Sequence, residues 1–226
     1  MSDGSYHLEA GTSRLLEYAS VLGRPRFVEY QLARLHEDLI SMLPYVREDV
    51  PSAIARQFRN NSLGATVQHL RQAGDGRGEE DAPLDIALEA LAARGLDTAY
   101  LSPSSGIWIW SIDGKTIIEW DNRDRLYEGK AVWTAQIGRF ELSAEEFLHE
   151  LRSFDRRLME AMELRVRTAI ASWARPDVRV DFNRLEAEQV ERSTWMASAI
   201  QHGPIETDWA AVGHVLSRTK SEGSGR

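Results

Sequence analysis

The chain has 226 residues, of which 35 are acidic and 27 are Lys or Arg, so its formal net charge is −8 at pH 7, and it contains no cysteine. This length suits one domain of ordinary size, and the absence of cysteine excludes disulfides, thiolate metal ligands and a cysteine nucleophile. The acidic balance argues against binding to nucleic acid and is compatible with docking onto a basic protein. No apolar run is long enough to span a membrane and the N-terminus lacks the features of a signal peptide, so we expect a cytoplasmic protein.

The first half of the chain is predicted to be mainly helical. Residues 28–43 carry apolar side chains at three- and four-residue spacing, which is typical of an amphipathic helix that ends near Pro44. Shorter helices are predicted after Pro51, around 65–72, and from 84 to a C-cap at Gly95. Between the last two, residues 73–83 are rich in Gly and charge, and they are predicted to form a variable exposed loop.

The middle of the chain is predicted to be β structure centred on a hairpin. Asp113-Gly114 separates the apolar runs IWIWSI and KTIIEW, which is the strongest short-range signal for a two-residue hairpin turn. A type I′ turn there places Trp108 opposite Glu119 and Trp110 opposite Ile117. Residues 98–101 are predicted to be a strand leading into the hairpin, and residues 130–142 a further strand pair that turns at Gly138.

Side-chain alternation divides the predicted hairpin into two faces. The face with Ile107, Ile109, Ile118 and Trp120 is apolar and must be buried. The other face mixes tryptophan with charge, and two interpretations remain open: the chain's own helices cover it, or part of it forms a groove for a ligand or partner, because Trp is frequent at binding hot spots. The candidate partner-binding residues are those of the second face and of the segment that follows it: Trp108, Trp110, Glu119, Asp121, Asn122 and Asp124.

The C-terminal part is again predicted to be helical. Ser143 and Glu146 form a capping box that starts a long helix, which runs roughly to Trp173 with an apolar stripe ending at Val166 and Ile170. A second long helix is predicted over 183–201 and a short one over 207–216. Helices on either side of a small sheet predict an α+β fold, with a single domain over 1–217, an antiparallel sheet of four or five strands packed against the helices, and a disordered tail at 218–226.

No motif for catalysis, phosphate binding or metal coordination is present in the sequence. The six histidines are scattered without a metal-like spacing, so we predict no metal and no cofactor. His36 precedes Glu37 and Asp38, but both carboxylates are predicted to face solvent, away from the apolar stripe of their helix. We therefore favour a non-catalytic binding protein; the alternative is a small-molecule-binding protein or enzyme that uses Glu119, Asp121 or Asp124 beside a tryptophan pocket.

Four blocks of the sequence resemble a bacterial family known only as a domain of unknown function: FVEYQLARLHEDLISMLPYV, LDTAYL, IIEWDNRDRLYEGKAVWTAQIGRFELSAEEFLHELRSFDRRLMEAM and EQVERSTWMA. The resemblance extends roughly from Leu15 to Ile200 and supplies no catalytic residues. Because families of this sort are sometimes encoded near secreted or polymorphic toxins, it implies an immunity protein that neutralises a cognate toxin by direct occlusion. The partner is then a protein, expected to be a basic toxin domain. A third hypothesis is self-association through the long helix that begins at Ser143.

Overall fold

The chain folds into seven helices and nine short strands within the residues that the structure, a computed structural model, describes: 3–20, 23, 25–60, 62–74, 81–175 and 177–223. The helices are α1 (Leu32–Val46), α2 (Ser52–Asn60), α3 (Leu63–Gly74), α4 (Ala82–Ala92), α5 (Ala144–Ala171), α6 (Phe182–Gln201) and α7 (Trp209–Gly223). The strands are β1 (Asp3–Tyr6), β2 (Leu8–Ala10), β3 (Ser13–Leu15), β4 (Val28–Gln31), β5 (Ile107–Ile112), β6 (Lys115–Asp121), β7 (Leu126–Tyr127), β8 (Lys130–Ala131) and β9 (Ile137–Ser143).

The central sheet is antiparallel and has the strand order β5-β6-β9. The hairpin register is the predicted one, with Trp108 opposite Glu119 and Trp110 opposite Ile117. Asp113 and Gly114 both have positive φ, at 50° and 71°, as a type I′ turn requires. The predicted α+β class is confirmed, but in the described part of the chain this sheet has three strands rather than four or five, and the remaining strands form separate pairs: β1 with β4, β2 with β3, and β7 with β8.

The prediction of a turn at Gly138 is wrong, because Gly138 lies inside β9 directly opposite Trp120 of β6. A Cβ atom at this position would lie 2.2 Å from Cζ2 of Trp120, so the glycine makes room for the indole ring and does not break the strand. The segment 98–101 is a turn rather than a strand, and the N-terminal strands β1 and β2 were missed. Their residues are too few and too mixed in polarity for the alternation to be visible.

Two helix boundaries also differ from the prediction. Residues 28–31 form strand β4, and α1 passes through Pro44 to Val46, where the Pro44 carbonyl accepts a hydrogen bond from the Ile205 backbone N–H. At the other end of the chain, α7 continues to Gly223, so the first residues of the expected tail are helical, while 224–226 lie outside the described residues. The predicted loop at 73–83 is shortened because α3 ends at Gly74 and α4 begins at Ala82; residues 75–80 lie outside the described residues.

The central sheet separates two hydrophobic cores. On one face Ile107 and Trp120 pack with residues of α1, α5 and the N-terminal strands. On the other face Trp110 and Ile117 pack with residues of α2, α3, α4 and α7. The fold is therefore a small sheet with helices on both faces, and this chain itself covers the mixed face of the hairpin.

The capping box at Ser143 is present, since the Ser143 hydroxyl accepts from the Glu146 N–H at 3.1 Å and the Glu146 carboxylate accepts from the Ser143 N–H at 2.8 Å. The helix that it starts, α5, has 28 residues and is about 42 Å long. It pairs with α6, which buries only Gln189 and Met196 among its 20 residues. We call residues 156–192 of this pair the distal hairpin. None of the helices within the described ranges is both long and apolar enough to cross a membrane.

Candidate functional site

Trp110 of the mixed face lies in the interior of this chain, and Trp108 is partly buried against the chain's own helices. Trp110 has no exposed surface; Phe58 of α2 makes an edge-on ring contact with it at 5.5 Å, and the Arg139 guanidinium lies 5.0 Å from its ring centroid. The Trp108 ring occupies space beside Gly64, where an added Cβ would meet its Nε1 at 2.3 Å. Of the two interpretations of this face, the structure shows the one in which the chain covers it with its own helices.

Glu119 is also buried, at 4 % exposure, because the N-terminal end of α3 packs against it. Its carboxylate accepts a hydrogen bond from the backbone N–H of Leu63, the first residue of that helix. Burial raises the pKa of Glu119, although the hydrogen bond from Leu63 acts in the opposite direction. A carboxylate at a helix N-terminus meets unpaired N–H groups and the positive end of the helix dipole, so this residue has a structural role.

Asn122 joins three loops and is likewise buried. Its Oδ1 accepts from the Gly106 N–H at 2.8 Å and from the Ser105 hydroxyl at 3.0 Å, and its Nδ2 donates to the Ala135 carbonyl at 2.9 Å. All of these contacts are within the chain. Asn122 therefore holds together the segments that lead into β5 and β9, the two outer strands of the central sheet.

Asp121 and Asp124 are the candidates that reach the surface. The Asp121 carboxylate binds Arg123 through two hydrogen bonds, at 2.9 and 2.6 Å, and this contact lowers the pKa of Asp121. Asp124 is exposed. A carboxylate that is paired and has a lowered pKa is a poor general base at neutral pH, so the geometry does not support Asp121 as a base in the alternative small-molecule site. A role of these two residues in partner binding stays a prediction.

Two grooves lie along the distal hairpin, and both are lined by residues of α5 and α6. The first, which we call the inner groove, has a volume of about 880 Å³ and lies between α1, α5 and α6. Its apolar lining comes from Met162, Val166, Trp173 and Leu185. Three guanidinium groups and two carboxylates complete it: Arg34, Arg165, Arg192, Glu37 and Glu188.

The second groove, which we call the outer groove, has a volume of about 480 Å³ and lies between α5 and α6 alone. Ile170 and Val190 line it, and they are 43 % and 63 % exposed. Four carboxylates and two guanidinium groups surround them: Asp155, Glu160, Glu163, Glu186, Arg156 and Arg167. Carboxylates outnumber guanidinium groups in the outer groove, whereas Arg34 of the inner groove is paired with Asp38 and Asp97 at 3.0 and 2.8 Å.

Gln189 of α6 lies between the two grooves and lines both. It is 7 % exposed; its Nε2 donates to the Met159 carbonyl at 3.3 Å, while its Oε1 has no hydrogen-bond partner among the described residues. One turn later, the Nε of Arg192 is also buried and unpaired within that part of the chain. An unpaired buried polar group costs about 1–3 kcal/mol, so both atoms lower the stability of the distal hairpin.

Of the two carboxylates of α1 that were predicted to face solvent, Glu37 is partly exposed but Asp38 is buried, so the prediction for Asp38 is wrong. His36 has no exposed surface, and its Nε2 lies 2.8 Å from Oδ1 of Asp155 on α5. Asp38 is 9 % exposed and lies 3.0 Å from the Arg34 Nε. The N-terminal strands and the following turn cover this side of α1, which its own periodicity could not show. Within the described ranges, no three His, Asp or Glu side chains converge as a metal site.

Burial raises the pKa of Asp38 from 3.8 to about 6 in spite of the attraction of Arg34. The folded protein binds this proton more tightly than the unfolded chain does. Asp38 therefore does not lower the free energy of unfolding at low pH, and it lowers that free energy by the full amount above pH 6. We expect Asp38→Asn to stabilise the protein by about 2 kcal/mol more at pH 8 than at pH 4. Urea unfolding at the two pH values measures this difference. Glu37→Gln on the same helix is the control, with an expected change below about 0.5 kcal/mol, and an equal effect of Asp38→Asn at both pH values would contradict the assignment.

The distal hairpin was not identified as a candidate site from the sequence, although a signal for it exists. The apolar stripe of α5 continues to Ile170, whereas α6 offers few large apolar residues between Phe182 and Trp195 to cover it. A helix whose stripe is longer than its partner's leaves apolar side chains exposed. Only the pairing of α5 with α6, which is a tertiary contact, shows which positions these are.

Comparison with known proteins identifies the family of this chain. Neither the curated proteins nor the solved structures contain a significant match to the chain. A family model described as a family of unknown function, DUF5984, matches residues 1–215. The matched region contains both core faces, the distal hairpin and the beginning of α7, up to residue 215. The chain belongs to the DUF5984 family.

Proposed function

We propose that this protein binds another protein through the outer groove of its distal hairpin, and that it acts as an immunity protein that neutralises a cognate toxin by direct occlusion. The observation that carries the proposal is the exposure of Ile170 and Val190 inside a rim with four carboxylates and two guanidinium groups. An apolar centre with a charged rim is the usual arrangement of a protein interface. Burial of these exposed apolar side chains by a partner would also be favourable, because it removes apolar surface from water.

The charge of the groove indicates the chemistry of the partner. Asp155 is held by the buried His36 of α1, and Glu163 pairs with Arg167 on the exposed surface of α5. A matching surface presents an apolar side chain for the groove and Lys or Arg for its rim. A basic toxin domain has this chemistry, and a protein seated along α5 and α6 would block a toxin's cleft sterically without any catalysis by this chain.

The experiment uses the purified product of the gene adjacent to the one that encodes this chain. We expect a complex in size-exclusion chromatography, and we expect the double variant Ile170→Asp/Val190→Asp to weaken it at least 100-fold in calorimetric titration, because each change places a charge at the apolar centre of the interface. Leu126→Asp is the matched control, since Leu126 is 50 % exposed but lies on β7, away from the groove. Binding that is equally tight for the double variant would remove the outer groove from the proposal, and absence of any complex would remove the toxin partner.

A further inference from the structure

We propose that the edge strand β9 pairs with β9 of a second copy of this chain, antiparallel and around a two-fold axis, so that two central sheets join into one. The inference does not depend on the outer groove or on a toxin partner. It rests on two features of β9: its outer edge has open backbone groups, and its charges are complementary to themselves in one register.

One edge of β9 is unpaired because β9 is the last strand in the order β5-β6-β9. Hydrogen bonds at the two ends of the strand fix the direction of its backbone groups: the Asn122 N–H donates to the Gln136 carbonyl at 2.6 Å, and the Ala144 N–H donates to the Gly114 carbonyl at 3.0 Å. Residues alternate in an antiparallel ladder, so the even-numbered residues of β9 bond to β6 and the odd-numbered residues direct their backbone groups away from it.

The odd-numbered residues Ile137, Arg139 and Glu141 form an open edge. Within the part of the chain that the structure describes, their backbone N–H and C=O groups have no hydrogen-bond partner. Arg139 is exposed as a whole residue although its side chain is only 29 % exposed, so its main chain is open to solvent. An edge strand of this kind is a template for pairing with a further strand.

The charges of β9 select a second copy of β9 as that strand, and they fix its register. Because only the odd-numbered residues offer backbone groups, three antiparallel registers keep both Arg139 and Glu141 paired within β9. One register places Arg139 opposite Arg139 of the second copy, and another places Glu141 opposite Glu141, so like charges meet. In the register between them, Phe140 lies on the two-fold axis and Arg139 of each copy faces Glu141 of the other.

These charges form only weak contacts within one copy. The Arg139 Nε lies 3.4 Å from the Glu141 Oε1, the Lys115 Nζ lies 3.8 Å from the Glu141 Oε2, and the Glu141 side chain is 48 % exposed. Surface ion pairs of this kind contribute little to stability. Pairing of the strands does not require either contact to break, and it gives each Arg139 a second carboxylate across the interface.

Assembly stops at two copies because the opposite edge of the sheet is closed. The Ile109 N–H donates to the Arg94 carbonyl at 2.8 Å, and the Val50 N–H donates to the Ser111 carbonyl at 2.7 Å, so other segments occupy the outer side of β5. Pairing of β9 with itself is symmetric and uses the remaining open edge, so it yields a closed dimer. The contact involves few residues, and we therefore expect the dimer to be weak and reversible.

Sedimentation equilibrium of the full chain, from micromolar to several hundred micromolar concentration, tests the dimer. We expect a reversible equilibrium between monomer and dimer. We expect Glu141→Arg to weaken the dimer at least about 10-fold, because two positive charges then face each other across the axis. Glu29→Arg is the matched control: it makes the same change at an exposed position of β4, in a different sheet, and should leave the dimer unchanged.

A mixture of two variants tests the register. Arg139→Glu alone places two negative charges opposite each other, so it should dimerise as poorly as Glu141→Arg. When the two variants are mixed, we expect a heterodimer, since each pair across the interface is then of opposite sign. Recovery of a dimer in the mixture also shows that neither variant has lost the fold. Absence of the heterodimer from a mixture of folded variants would contradict the register.

Hydrogen exchange of the unchanged chain locates the contact without any substitution. The amides of Arg139 and Glu141 should exchange more slowly at high protein concentration, whereas the amide of Glu29 should exchange at the same rate. A chain that remains a monomer at every concentration, or a dimer whose added protection lies on the distal hairpin and not on β9, would overturn the proposal. The Ile170→Asp/Val190→Asp variant should retain the dimer, so failure of the toxin complex and failure of the β9 contact are separate results.

Discussion

Replacing Glu48 by alanine is expected to lower the free energy of unfolding by about 3–5 kcal/mol, because it leaves a buried guanidinium group without its counter-charge. Arg94, at the end of α4, has no exposed surface, and its Nη2 lies 2.8 Å from the Glu48 Oε2. Burial lowers the pKa of Arg94, and the hydrogen bond and negative charge of Glu48 act in the opposite direction.

Glu48 also holds the beginning of α7. Its carboxylate accepts from the Thr207 N–H at 2.7 Å, from the Thr207 hydroxyl at 2.5 Å and from the Trp209 Nε1 at 3.0 Å. The Arg94 guanidinium in turn lies 4.9 Å from the Trp209 ring centroid. One carboxylate after α1 therefore connects α4 and α7, and its loss releases contacts in three parts of the chain.

Chemical denaturation of Glu48→Ala, Arg94→Leu and the double variant measures this connection. We expect Arg94→Leu to be strongly destabilising on its own, and the double variant to be less destabilised than the sum of the two single changes by about 1–3 kcal/mol, since neither charge is then left buried alone. Glu48→Gln is the conservative control, because it keeps an acceptor for Thr207 and Trp209. Strict additivity of the two single changes would show that the pair does not act as a unit.

Replacing Trp110 by alanine is expected to cost a similar amount, about 3–5 kcal/mol, because it leaves a cavity in the core formed by α2, α3, α4 and α7. The ring is fully buried, and its neighbours Phe58 and Ile117 belong to different elements that cannot both close the gap. Ile137→Ala in β9 of the same sheet is the control: Ile137 is 57 % exposed, and its truncation should change stability by less than about 0.5 kcal/mol.

The Trp110 variant also separates packing from partner binding. Trp110→Phe keeps much of the apolar volume, so it should remain folded at 25 °C with a loss of about 1–2 kcal/mol. In the folded state we expect it to bind the neighbouring gene product with unchanged affinity, because the ring does not reach the surface. A large loss of affinity without a loss of folded protein would return the mixed face of the hairpin to the candidate interfaces.

Features that depend on residues close together in the chain could be predicted from the sequence. The Asp113-Gly114 turn and the pairing of Trp108 with Glu119 follow from two residues that tolerate positive φ and from strict alternation on either side. The start of α5 follows from a hydrogen-bond exchange between Ser143 and Glu146, three residues apart. The α+β class follows from the order of these local patterns along the chain.

Features that depend on distant residues could not. Glu119 caps a helix that begins 56 residues earlier. A charged residue in a strand is usually exposed, and only the contact with α3 shows that this one is buried. Asp38 carries a charge on the polar side of its own helix, yet strands from the N-terminus bury it and raise its pKa. In each case the local pattern is compatible with exposure, and a non-local contact decides against it.

The sequence by itself therefore determined the hairpin, its register, the separation of its two faces and the class of the fold, because each of these is specified by hydrogen bonds and periodicities within a few residues. Only the tertiary structure decided which apolar side chains remain uncovered. Helices from both halves of the chain close over Trp108 and Trp110, whereas α6 is too poor in apolar residues to cover Ile170 of α5. Which side chains are covered depends on how the helices and strands pack together. For this protein, that packing favours the distal hairpin over the central hairpin as the candidate binding surface.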